Sequence, residues 1–69
     1  MFVSVLNPHG TVHRLETHDG EWHGWNNIAM GFDRDEGRQV VETILQELNS
    51  GATALSYDFQ IIKVENETA

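Results

Sequence analysis

DRDEGRQVVETILQELNSG, residues 33–51, is the stretch whose reading decides the fold. Val41, Ile44, Leu45 and Leu48 recur at the i, i+3, i+4, i+7 spacing that stacks side chains on one face of a helix, and Val40 widens the stripe. Arg38, Glu42, Thr43, Gln46 and Glu47 fall on the opposite side. Asp33 can accept from the free amides of the first turn, Glu36 three residues on completes a capping box, and Gly51 can take the left-handed conformation that ends a helix. The pattern predicts an amphipathic helix, with Gly37 as its weak point at a cost of about 1 kcal/mol relative to alanine.

Upstream, Phe2 to Leu6 and Thr11 to Thr17 read as strands joined by Asn7-Pro8-His9-Gly10. Asparagine suits the first position of a type I turn, proline presets the second, and glycine accepts the positive φ of a following bulge. That register sets Val3 and Val5 across from Leu15 and His13 on one face, which we assign to the helix. It sets Phe2, Ser4 and Leu6 across from Glu16, Arg14 and Val12 on the other. Asp19-Gly20 predicts a second, two-residue turn that places Thr17 opposite Trp22 and Glu16 opposite His23. The third strand must be short, because Gly24 and Asn26-Asn27 interrupt it, and the connection from Gly24 to Phe32 is unusually apolar for a loop.

Downstream, Leu55, Tyr57, Phe59 and Ile61 alternate with Ser56, Asp58 and Gln60, the pattern of a half-buried strand. Ile62 and Val64 break that alternation and point to a bulge or a second buried side. Residues 65–69 read as a polar, frayed tail. The expected fold is a single α+β domain over residues 1–69, a ββ(β)αβ antiparallel sheet with its one helix on one face. The other face is left with Phe2, Leu6, Val12, Ile62 and Val64 among Arg14, Glu16 and Lys63, a composition suited to a protein partner or a homodimer.

Eleven acidic residues against four basic ones give a net charge of −7, spread along the chain. Such a field repels phosphate backbones, so we expect a protein partner with a basic surface and no direct nucleic-acid binding. There is no cysteine, no basic leader and no long apolar run, so the expectation is a soluble cytoplasmic protein without a membrane span. A chain this short hides only about 60% of its unfolded surface, and small domains that lack disulfides often lean on a metal or a second copy of themselves.

Four histidines lie at positions 9, 13, 18 and 23. Of these, His18 and His23 with Glu16 are candidates for a zinc site around the second turn, but no ligand-spacing motif is present, and solvated histidines or a Glu16–His23 cross-strand pair are the simpler expectation. Ser4, Ser50 and Ser56 have no glycine elbow around them, a domain this small has little room for a water-excluding cleft between carboxylates, and GFDRDEG before the helix carries acid where a phosphate would sit. We expect neither enzymatic activity nor a cofactor. Recognition remains, with Trp25, Asn26, Asn27 and Met30 as an exposed aromatic loop and Asp33, Asp35, Glu36, Glu42 and Glu47 as an acidic helix face. Those acids could instead imitate the phosphates of a nucleic acid and occupy a basic groove, and a metal-binding or self-assembling housekeeping domain is a further alternative.

In element order, a hairpin before one helix and a closing strand, the chain resembles small bacteriophage inhibitors of bacterial RNA polymerase. As an acidic chain without a catalytic kit, it is also similar to the phage and mobile-element proteins that bind and block a host enzyme or defence complex. The resemblance implies an inhibitor or regulator acting by protein contact.

Overall fold

The turn chemistry positions the sheet. A computed structural model describes residues 1–66, and in it β1 (Phe2–Leu6) and β2 (Val12–His18) flank the Asn7-Pro8-His9-Gly10 connection. Gly10 donates its N–H to the Asn7 carbonyl at 2.9 Å and takes φ +93, while Asn7 donates to the Thr11 carbonyl at 2.8 Å. These contacts set the register expected from the sequence, with Val3 opposite Leu15 and Val5 opposite His13. Asp19 and Gly20, at φ +55 and +76, make the second turn. They bring β3 (Glu21–His23) against β2 with Glu16 opposite His23 and Thr17 opposite Trp22.

The helix, α1 (Arg34–Asn49), starts and stops as its sequence predicts. Asp33 accepts from the Glu36 amide at 2.8 Å. At the other end Gly51, at φ +77, donates to Leu48 at 3.2 Å and Ala52 donates to Glu47 at 3.0 Å, the paired bonds of a Schellman motif.

The closing strand differs from expectation. It is β4 (Gln60–Glu65), not the alternating run from Leu55 to Ile61. Tyr57 and Asp58 adopt φ +57 and +60, left-handed conformations that no strand contains, and the Phe59 amide closes a turn onto the Ser56 carbonyl at 3.2 Å. Leu55, Tyr57 and Phe59 still turn toward the core, so their alternation reflects burial from a loop and not a ladder. The anticipated irregularity does occur: Val5 pairs with Ile61 and Ser4 with Lys63, leaving Ile62 as the extra residue of a bulge. Beyond it Val64 lies opposite Val3, on the helix side, which corrects its expected place on the open face. Glu65, expected in the tail, is paired with Phe2 in β4. Residues 67–69 of that tail lie outside the described residues.

The sheet is fully antiparallel in the order β3-β2-β1-β4, which makes the fold α+β. One buried cluster joins Val3, Val5, Leu15 and Trp22 of the sheet to Val40, Ile44 and Leu48 of α1, with Ile28 and Phe59 entering from the loops. The Trp22 indole N–H donates to Asn49 Oδ1 at 2.6 Å and ties the short edge strand to the end of the helix.

Candidate recognition surface

The loop that carries Trp25 is held by a residue whose part in it the sequence does not advertise. Asn7 is 1% exposed. Its Nδ2 donates to the Ile28 carbonyl at 2.6 Å and the Met30 carbonyl at 3.3 Å, and its Oδ1 accepts from the His9 amide at 2.6 Å. One side chain thus stabilises its own turn and pins a segment more than twenty residues away, satisfying at Ile28 a carbonyl that burial would otherwise leave unpaired. The segment itself is a series of tight turns, Trp25 to Ile28 at 3.1 Å, Asn27 to Met30 at 3.0 Å and Ala29 to Phe32 at 3.1 Å. Ile28 is fully buried beneath it, and the His9 ring packs edge-on to Phe32 at 5.3 Å. The apolar connection is therefore an ordered platform.

On this platform Trp25 is half-buried, Asn26 and Asn27 are exposed, and Met30 is 55% exposed. Trp25, Asn26 and Ala29 form one wall of an open groove whose other wall is the first half of α1, with Arg34, Gly37, Arg38, Val41 and Glu42. Gly37 lies between the two walls with room to spare: a Cβ there would sit 3.5 Å from that of Ala29, in ordinary contact. At about 100° per residue, Arg34 and Arg38 form one stripe, and Asp35 with Glu42 a second stripe roughly 70° further round. Moving away from Trp25, the surface therefore runs from aromatic to cationic to anionic. Arg34 and Arg38 make no ion pair among the described residues, whereas Arg14 and Lys63 both reach Glu65, at 3.6 and 3.8 Å. The two arginines and Gly37 were not expected on a binding surface, Arg38 having been placed on the polar helix side and Gly37 read as a weak point; their signal was the i, i+4 arginine pair astride a helical glycine.

The five helix acids do not share one stripe. Glu36 and Glu47 lie about 120° round from Asp35 and Glu42. Asp33 is committed to capping the helix. Glu47 accepts from the Ser56 amide at 2.9 Å and the Ser56 hydroxyl at 2.7 Å, and these bonds hold its carboxyl below its ordinary pKa. Of the acids placed on a binding face, Asp35, Glu36 and Glu42 remain uncommitted and exposed.

Around the second turn His18 stacks on His23 at 4.3 Å, and its ring nitrogens lie 3.4 Å from Glu16 and 3.5 Å from Asp19. Glu16 stands opposite His23 across the ladder as expected, and its carboxylate reaches His18 along its own strand. No group of three histidine, aspartate or glutamate side chains among the described residues is gathered as a metal would require. His13 points its Nε2 into the interior without a hydrogen-bond partner among the described residues.

On the open face the Arg14 guanidinium lies 4.0 Å from the centre of the Phe2 ring, and Val12 is 54% exposed. At the far end of the core an apolar cleft of about 320 Å³ opens between β1, β4 and the C-terminus of α1. No helix among the described residues is long and apolar enough to cross a membrane. No family model, curated protein or solved structure matches the chain, so the likeness to polymerase inhibitors rests on element order alone.

Proposed function

We propose that this protein is a binding module, an inhibitor or regulator of the kind phages and mobile elements direct against host enzymes, and that it engages its partner through the Trp25 groove. The observation that carries the reading is the order of the surface: a tryptophan on an immobilised platform, then Arg34 and Arg38, then Asp35 and Glu42. Aromatic and arginine side chains supply most of the energy in protein interfaces, and a preformed platform avoids the ordering cost of a flexible loop. The partner's complementary surface presents an apolar side chain to Trp25, a carboxylate to the arginines and a basic group to the acids beyond. The net charge of −7 steers such a basic-rimmed partner from a distance, while the groove supplies the specificity.

The test is capture of partners from the source cell's lysate by the full chain, by Trp25→Ala, by Arg34→Glu with Arg38→Glu, and by Val12→Ser on the open face as a control. A stoichiometric partner should be retained by the control and lost by the other two. It should also persist near 1 M salt, where the screening length falls to about 3 Å and binding by charge imitation alone collapses. Capture that is indifferent to the groove variants refutes the reading.

A further inference from the structure

We propose that β4 is an intersubunit edge, on which a second copy of this chain adds its own β4 antiparallel to form a continuous sheet across a two-fold axis at Val64. The strand order leaves β4 as the longer of the two open edges, six residues against three in β3. Its outer half carries apolar side chains that the monomer does not cover: Ile62 is 49% and Val64 55% exposed. Val64 stands at the mouth of the apolar cleft, beside Val3, Met1 and Leu48.

The register follows from three constraints. In an antiparallel ladder the N–H and C=O of a residue point the same way and alternate along the strand, so the axis must pass through a residue and not between two. Residues directly opposite must share a sheet face. Opposite charges, not like ones, must meet. The bulge at Ile62 places Ile61 and Val64 on the helix side, opposite Val5 and Val3, and Lys63 and Glu65 on the open face, opposite Ser4 and Phe2. An axis at Ile62 sets Ile61 against Lys63, from opposite faces. An axis at Lys63 sets two lysines together, and one at Glu65 sets two glutamates together. An axis at Val64 satisfies every constraint: Lys63 meets Glu65 of the second copy, Glu65 meets Lys63 of the second copy, and the two Val64 side chains meet on the helix side over the clefts. Arg14, already 3.6 Å from Glu65, joins the charge network from the neighbouring strands.

Sedimentation equilibrium of the full chain tests this. The wild type should approach twice its 7.8 kDa mass as concentration rises. Lys63→Glu and Glu65→Lys should each weaken self-association about tenfold or more, because each places like charges at both crossings. An equimolar mixture of the two variants should associate, since an edge with two glutamates then faces an edge with two lysines. Circular dichroism reports whether each variant is folded. Should either fail to fold, Val64→Thr, which keeps shape and β-branching, should weaken association in its place. A wild type that stays monomeric to about 1 mM, a dimer unmoved by these variants, or folded charge variants that do not associate when mixed, overturns the proposal.

Discussion

Replacing Asn7 by aspartate changes one NH₂ to an oxygen and almost nothing else, which isolates what that group does. The acceptor bond from the His9 amide survives. The two donor bonds do not: at neutral pH a carboxylate oxygen faces the Ile28 carbonyl where the amide nitrogen stood at 2.6 Å, and the Met30 carbonyl where it stood at 3.3 Å. Each lost bond is worth about 1 kcal/mol, and a buried carbonyl left facing a desolvated anion adds about 1–3 kcal/mol, for a total of about 3–5 kcal/mol. A chain of this length has a total stability of about 3–10 kcal/mol, so the variant is expected to stand at the edge of unfolding near pH 7. The penalty must also depend on pH. Burial raises the carboxyl pKa in the folded state above its unfolded value of about 3.9, so the folded state holds the extra proton and the variant loses stability relative to wild type as pH rises through that window. Below it, the protonated acid can again donate to Ile28 and part of the loss returns. Asn7→Ala loses those two bonds and the acceptor bond from the His9 amide as well, but introduces no charge, and its penalty relative to wild type should be flat with pH. Urea unfolding followed by tryptophan fluorescence from pH 4 to 8 measures both differences. An aspartate variant within about 0.5 kcal/mol of wild type, or a penalty that does not change with pH, refutes the role assigned to Asn7.

Gly37→Ala should stabilise the protein by about 0.5–1 kcal/mol and raise its melting temperature by about 3–6 °C, because the new methyl lands at ordinary contact distance from Ala29 on a helical backbone; calorimetry showing a loss would mean the two walls of the groove are closer than described. Trp22→Phe should cost about 1.5–3 kcal/mol in denaturant unfolding, through the lost indole bond to Asn49 and the volume left beside Leu48. Glu47 has a folded pKa below its ordinary value, so the stability it contributes is present above the unfolded pKa and is lost as pH falls through the folded one. Glu47→Gln should remove that part of the acid-limb decline in an unfolding series below about pH 4.5, and an unchanged acid limb would show that the Ser56 contacts do not act on Glu47 in solution.

Local chemistry in the chain determined the helix with both its caps, the two turns, the hairpin register and the short third strand, and it marked an irregularity near Ile62 that pairing with β1 resolves as a bulge. Each depends on residues close in sequence: a capping aspartate, glycines with positive φ, a stripe at helical spacing. The alternation from Leu55 to Ile61 misled because period-two burial does not require a ladder. A loop whose Tyr57 and Asp58 are left-handed can bury the same residues, and the contact that holds it, Ser56 on Glu47, joins separate elements. The face of Val64 depended on which residue the bulge inserts, and only pairing with β1 settles that. Asn7 read as a turn former because its turn is local, while the two carbonyls it satisfies come from a segment brought beside it by the fold. Arg38 read as a residue of the polar helix side and Arg34 was assigned no place, and only the fold sets both beside Trp25. Helix, cap and hairpin-turn conformation was thus written in neighbouring residues, while the loop at Tyr57-Asp58 and the company each side chain keeps across the molecule were decided by packing, because such contacts have no fixed spacing along the chain.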